Sequence, residues 1–185
     1  MISYIYKFFQ YIITEHLSEV KYVNLYNDQF NNSLKASDFN YPAILIEFQT
    51  LNEFEQYAQR IQMMDMNVIL HVGTEFYSGL RRGDSQQDEA LEHLDIVDSV
   101  FKAFEQKNST NLPDTLVDSR FYIGNIHRFN FEMLSDYDAV KVTKNNFRFR
   151  FLDMSAMPIY TNETIGCELN IGYTTEQAKV INLIT

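Results

Sequence analysis

Residues 128–151 read RFNFEMLSDYDAVKVTKNNFRFRF. Phe129, Phe131 and Met133 alternate with Arg128, Asn130 and Glu132. Val140 and Val142 flank Lys141, and Phe147, Phe149 and Phe151 alternate with Arg148 and Arg150. Successive side chains of a strand point to opposite faces, so each run predicts one apolar and one charged face. The intervening Ser135-Asp136-Tyr137-Asp138 has turn chemistry, which makes the runs antiparallel neighbours. Residues 120–126 have room for one more strand. The Phe side is expected in the core and the Arg side in water.

Upstream, Ala43 to Phe48 (AILIEF) and Asn67 to Val72 (NVILHV) are nearly continuous apolar runs. Such runs predict central strands covered on both faces. Val20 to Leu25 reads as a further strand. The segment 54–61 fits either strand or helix. Asn27 to Tyr41 reads as loop, and so does Gly73 to Gln86, which is long enough to carry function.

Two helices complete the pattern. In Ile2 to Leu17 the residues Ile5, Phe9, Ile12 and His16 share one face, with Ser3 as cap. In Ser85 to Lys107 the stripe is Ala90, Leu94, Val97, Phe101 and Phe104. Ser85 with Asp88 resembles a capping box, and the acids at its start and lysines at its end suit the helix dipole. The predicted fold is therefore α+β: a mostly antiparallel sheet packed on one side by two main helices. Residues 1–155 form this domain, and residues 156–185 an arm that packs on the core or on a neighbour.

The chain has 185 residues, 45% of them apolar, which suffices for a sizeable core. The 25 acids and 15 bases leave a net charge of −10. Sequence-independent DNA binding needs a cationic face and is disfavoured. A single Cys excludes an intramolecular disulfide and a Cys-rich zinc site. The start lacks signal-peptide features, and no apolar run reaches membrane-spanning length. A soluble chain in a reducing compartment is the expectation.

Chemical motifs are sparse. None of His16, His71, His93 and His127 stands at metal-ligand spacing from a second His or Cys. His71 is expected buried and hydrogen-bonded, and His93 exposed. Asp136-Tyr137-Asp138 is better read as a turn than as a metal motif. No nucleophile elbow or phosphate loop occurs, and Cys167 has no nearby His. Arg82-Gly83-Asp84 reads as a chance match to an adhesion tripeptide. A base-stacking platform needs Phe and Arg on one face, and alternation places them on opposite faces. No catalytic residue, metal or cofactor is expected.

Charge is unevenly distributed. Residues 1–118 hold 18 acids and 8 bases, whereas residues 119–155 hold 4 acids and 6 bases. If Arg128, Arg148 and Arg150 share a face, that face is positive. The helix carrying Asp88, Glu89, Glu92, Asp95 and Asp98 is negative. Two opposite surfaces allow head-to-tail contact between copies, which closes a ring when repeated about an axis. Ordinary solvated faces are the alternative.

The order EVKYVNLYNDQF, YPAILIEF, NVILHVGTE, a variable loop, DEALEHLDIVDSVFKAF and strands around DYDAV and FRFRF resembles a known group. It is similar to the tail completion or tail terminator family of tailed bacteriophages, including connector-ring proteins of the head–tail junction. The resemblance spans about residues 2–153. It implies an α/β sheet covered on one side by helices, and a non-enzymatic virion protein. It further implies rings of six or twelve copies that contact tail tube, connector or portal-proximal proteins and let DNA pass. The implied location is the phage tail or neck, after assembly in the host cytoplasm, with no membrane partner. The interface candidates are Arg81, Arg82, Asp84, Asp88, Glu89, Glu92, Asp95, Arg128, Arg148 and Arg150. An assembly adaptor or chaperone using these surfaces transiently is the alternative. A small hydrolase using His93 or His71 is a third class.

Overall fold

The computed structural model describes residues 1–31, 40–51, 53–75, 87–134 and 140–157. The chain runs α1 (Ile2–His16), β1 (Tyr22–Leu25), β2 (Ala43–Thr50), β3 (Glu55–Ala58), β4 (Ile61–Glu75), α2 (Gln87–Phe104), β5 (Phe121–Ile123), β6 (His127–Leu134) and β7 (Val140–Asp153). Short 3-10 turns lie at Gln29–Asn31 and Ser109–Asn111.

The NVILHV and FRFRF runs pair with each other. β4 and β7 form one antiparallel ladder from Gln62 opposite Asp153 to Glu75 opposite Val140. β2 docks antiparallel on the other side of β4, and β1 is parallel to β2. β3 continues along β4 as a short hairpin. β5 and β6 share the free side of β7 at different heights. The result is an α+β fold with a mixed sheet, antiparallel except for the β1–β2 pair.

Both helices cover the same face. Tyr4, Ile5, Phe8, Phe9, Ile12 and Ile13 of α1 are buried against the sheet. They meet Ile44 and Ile46 of β2, Met64 to Val72 at alternate positions of β4, and Phe147, Phe149 and Phe151 of β7. Phe9 is the hinge of this aromatic cluster. Its ring stacks on Phe104 of α2 at 5.0 Å and tilts against Phe149 at 5.9 Å. A smaller apolar cluster of Phe30, Ala43, Leu45, Val140 and Val142 covers one end of the opposite face. Gly73 makes room for this cluster: a Cβ would stand 2.5 Å from Phe30 Cζ and force the ring to shift.

Several sequence expectations shift. Ser3 does not cap α1; the cap position is Met1, and no side chain bonds there. His16 ends exposed on the last turn rather than on the buried face. The segment 54–61 is strand and hairpin turn. Gly73, Thr74 and Glu75 belong to β4, and residues 76–86 of the expected loop lie outside the described residues. α2 stops at Phe104, short of Lys107, and Gln106 at φ 62° turns the chain out of the helix. Its buried line is His93, Ile96, Val97, Val100, Ala103 and Phe104, whereas Leu94 is exposed and Phe101 half-buried. Ser85, the turn at 135–138, Cys167 and all of the arm beyond Met157 lie outside the described residues.

Phe9→Ala would remove the ring that joins α1, α2 and β7. Stability should fall by about 3–5 kcal/mol, read as a lower denaturant midpoint in urea unfolding.

Candidate functional site

Two buried histidines are the obvious places to look for chemistry. His93 comes from the first half of α2 and is 1% exposed, contrary to the exposed position expected. Helix periodicity faces it to the sheet between two hydroxyls. Its Nδ1 lies 2.9 Å from Thr74 Oγ1 of β4, and its Nε2 2.6 Å from Thr143 Oγ1 of β7. Burial, with a smaller contribution from Lys141, pushes the imidazole down to about 4. A neutral ring donates to one hydroxyl and accepts from the other, so both nitrogens are occupied. Among the described residues, no carboxylate is hydrogen-bonded to the ring. The recess outside it measures ≈ 130 Å³, beside Lys21, Tyr41, Glu75 and Glu92. His93 thereby ties α2 to the β4–β7 ladder through Thr74 and Thr143.

His71 lies on the opposite face of β4 and is fully buried, as expected. Its Nε2–H donates to the Glu47 carboxylate at 2.8 Å, and the Tyr26 ring stacks on it at 3.8 Å. Burial outweighs the pull of Glu47 and holds the imidazole below its ordinary value. Burial also works to raise the Glu47 carboxyl, but hydrogen bonds from Gln49 and His71 outweigh it and keep that group low. The neutral form leaves Nδ1 as the acceptor, and no donor reaches it among the described residues. This arrangement cross-links β2 and β4 under an aromatic lid. Among the described residues, no group of three or more His, Cys, Asp or Glu is placed to hold a metal ion.

Among the described residues, the interface candidates are divided between α2 and the two faces of the sheet. Arg81, Arg82 and Asp84 lie outside the described residues. Asp88, Glu92, Asp95 and Asp98 are exposed on α2, which also carries Glu89. Asp98 is paired with Lys102 at 2.5 Å. Arg148 and Arg150 are exposed on the sheet face away from the helices, and Arg150 bonds to Asp65 at 3.1 Å. Arg128 is on the other side. It pairs in register with Phe147 on the helix-covered face, and its guanidinium lies 4.0 Å over the Phe101 ring. The three arginines thus fail the condition for a single positive face.

A register shift between Arg128 and Asn130 accompanies this separation. Phe129 falls in the irregularity, under Arg148 at 4.9 Å. Arg128 is also 5.5 Å from the Phe131 ring. Aromatic and cationic groups therefore do meet, because partners from neighbouring strands and a helix bring them together. Phe129, Phe131 and Met133, expected in the core, are 51%, 53% and 49% exposed. β6 is an edge strand, and neither helix extends over its outer side. This apolar rim is the candidate site, and only its aromatic pattern was legible in the sequence. Leu91 and Leu94 of α2 are exposed as well.

No protein-family model matches the chain, and no curated protein does. No helix among the described residues is long and apolar enough to cross a membrane.

The buried neutral His93 predicts acid sensitivity. Its folded pKa lies below the unfolded value of about 6.5, so the unfolded state takes up the proton first. The contribution is complete above pH 6.5 and is lost as pH falls to about 4. Urea unfolding across this window should show a decline of order 3 kcal/mol. A His93→Gln variant should show a correspondingly flatter profile.

Proposed function

We propose that this chain is a structural virion protein of a tailed bacteriophage. It is a tail terminator, completion or connector subunit that forms a ring through which DNA passes. The observation carrying this reading is the uncovered β6 rim. Monomeric domains rarely leave large apolar side chains clustered along a sheet edge, since such an edge templates pairing with another chain. The one-sided helical cover is what the resemblance implies.

Charge supports transit rather than grip. With a net charge of −10, the protein offers phosphate little overall attraction. The aromatic–arginine pairs at β6 do not change this, because Glu105 and Glu132 stand among them. His127 Nδ1 lies 2.9 Å from Glu105, and Glu132 is opposite Lys144.

The test is direct. Mass spectrometry of purified particles should detect the protein, and imaging should place a ring of it at the neck or tail end. Its absence from mature particles, with abundance only during assembly, would overturn the structural role in favour of the adaptor.

A further inference from the structure

The sheet has a second uncovered apolar edge. Leu51, Phe54 and Tyr57 are exposed on and before β3, with Tyr57 at 65%. β3 pairs with β4, whereas β6 pairs with β7, so the two apolar edges lie on opposite sides of the central ladder. One copy cannot bring them together.

The charges around the two edges differ in sign. Glu53 and Glu55 flank the β3 edge against the single Arg60 of the hairpin turn, and Arg150 beside them is already bonded to Asp65. Arg128 and Arg148 lie over Phe131 and Phe129 respectively, and with Lys144 they outnumber Glu105 and Glu132 at the β6 rim. Joining two β6 rims would bring arginines together, and joining two β3 edges would bring glutamates together. Charge therefore disfavours both symmetric pairings and favours β6 against β3. Strand direction agrees. β3 and β7 are both antiparallel to β4, and β6 is antiparallel to β7, so β6 meets the next copy's β3 in the antiparallel sense.

We infer that the β6 rim of one copy packs against the β3 hairpin of the next. The contact is heterologous and repeats head to tail. It deepens the proposed ring and rests on the self-association part of that reading. Register adds a geometric consequence. Phe131 is level with Asn145 and hence Leu70, whereas β3 is level with Ile61 to Met63. The offset along the strands is about 26 Å, and the four strand spacings from one β3 to the next make about 19 Å across them. Successive copies therefore join with their strands inclined, by roughly 35°, to the direction in which the copies follow one another.

Two exposed-site variants test this contact: Phe131→Asp/Met133→Asp on the rim and Phe54→Asp/Tyr57→Asp on the hairpin. Circular dichroism and urea unfolding first establish that both keep the fold. Sedimentation velocity from micromolar to submillimolar protein should show the wild-type chain associating beyond dimers. Each variant alone should remain monomeric at 21.8 kDa. Their mixture should form a dimer and stop there, because only one intact edge pair remains. Wild-type protein that stays monomeric, either variant assembling as wild type does, or a mixture that stays monomeric would overturn the contact. If wild type assembles while the variants have no effect, self-association stands and this contact falls. If the complementation succeeds but particles lack the protein, the contact stands and the virion role falls.

Discussion

The β4–β7 ladder constrains everything else in the molecule. Its register assigns each residue of the two longest strands to a face. Met64, Met66, Val68, Leu70 and Val72 go toward the helices with Phe147, Phe149 and Phe151. Asp65, Asn67, His71, Arg148 and Arg150 go to the other side. A slip of one residue in β7 would send both arginines under α1 and α2 and put the phenylalanines in water. The aromatic cluster around Phe9 therefore fixes the register as much as the backbone bonds do. Because β2, β3, β5 and β6 all attach to these two strands, the positions of the sheet edges follow from the same register.

The legible part of the sequence is the part this ladder controls. AILIEF and NVILHV announce central strands because they are apolar at every position. FRFRF announces a one-sided strand, and its Phe side is indeed the covered side. His71, in the middle of a core strand, could be read as buried for the same reason. The same alternation misleads at β6. Period two suggests one shared face for Phe129, Phe131 and Met133, but the register shift after Arg128 leaves Phe129 under Arg148 on the far face and Phe131 and Met133 on the side of Phe147, opposite Asn145 and Thr143. The irregularity after Arg128 is a tertiary feature without a Gly or Pro to mark it. His93 was missed because its neighbours Glu92, Asp95 and Asp98 suggest a wet face. The hydroxyls that receive it come from Thr74 and Thr143, far along the chain.

The arginines show how local patterning and packing diverge. In one strand, Arg148 and its Phe neighbours point apart. Across strands, Arg148 covers Phe129, and Arg128 is shared between Phe101 and Phe131. Each such pair is worth about 0.5–1 kcal/mol at exposed sites. That is enough to hold the aromatic rings in defined positions and too little to hide them from water. The rim is consequently ordered by cations yet remains apolar, a combination suited to a fitted protein contact.

Edge strands must also avoid indiscriminate pairing. A flat apolar edge would join any exposed strand, and bulges and charges are the usual protection. β6 has both: the register shift at Arg128–Asn130 interrupts its pairing pattern, and arginines lie over its aromatics. The β3 edge has its own interruption between Gln56 and Ala58, with acids alongside. An edge interrupted and charged in this way repels copies of itself, so what remains attractive is a partner edge of opposite charge. In the proposed contact, the same interruptions and charges would also set the direction in which copies join.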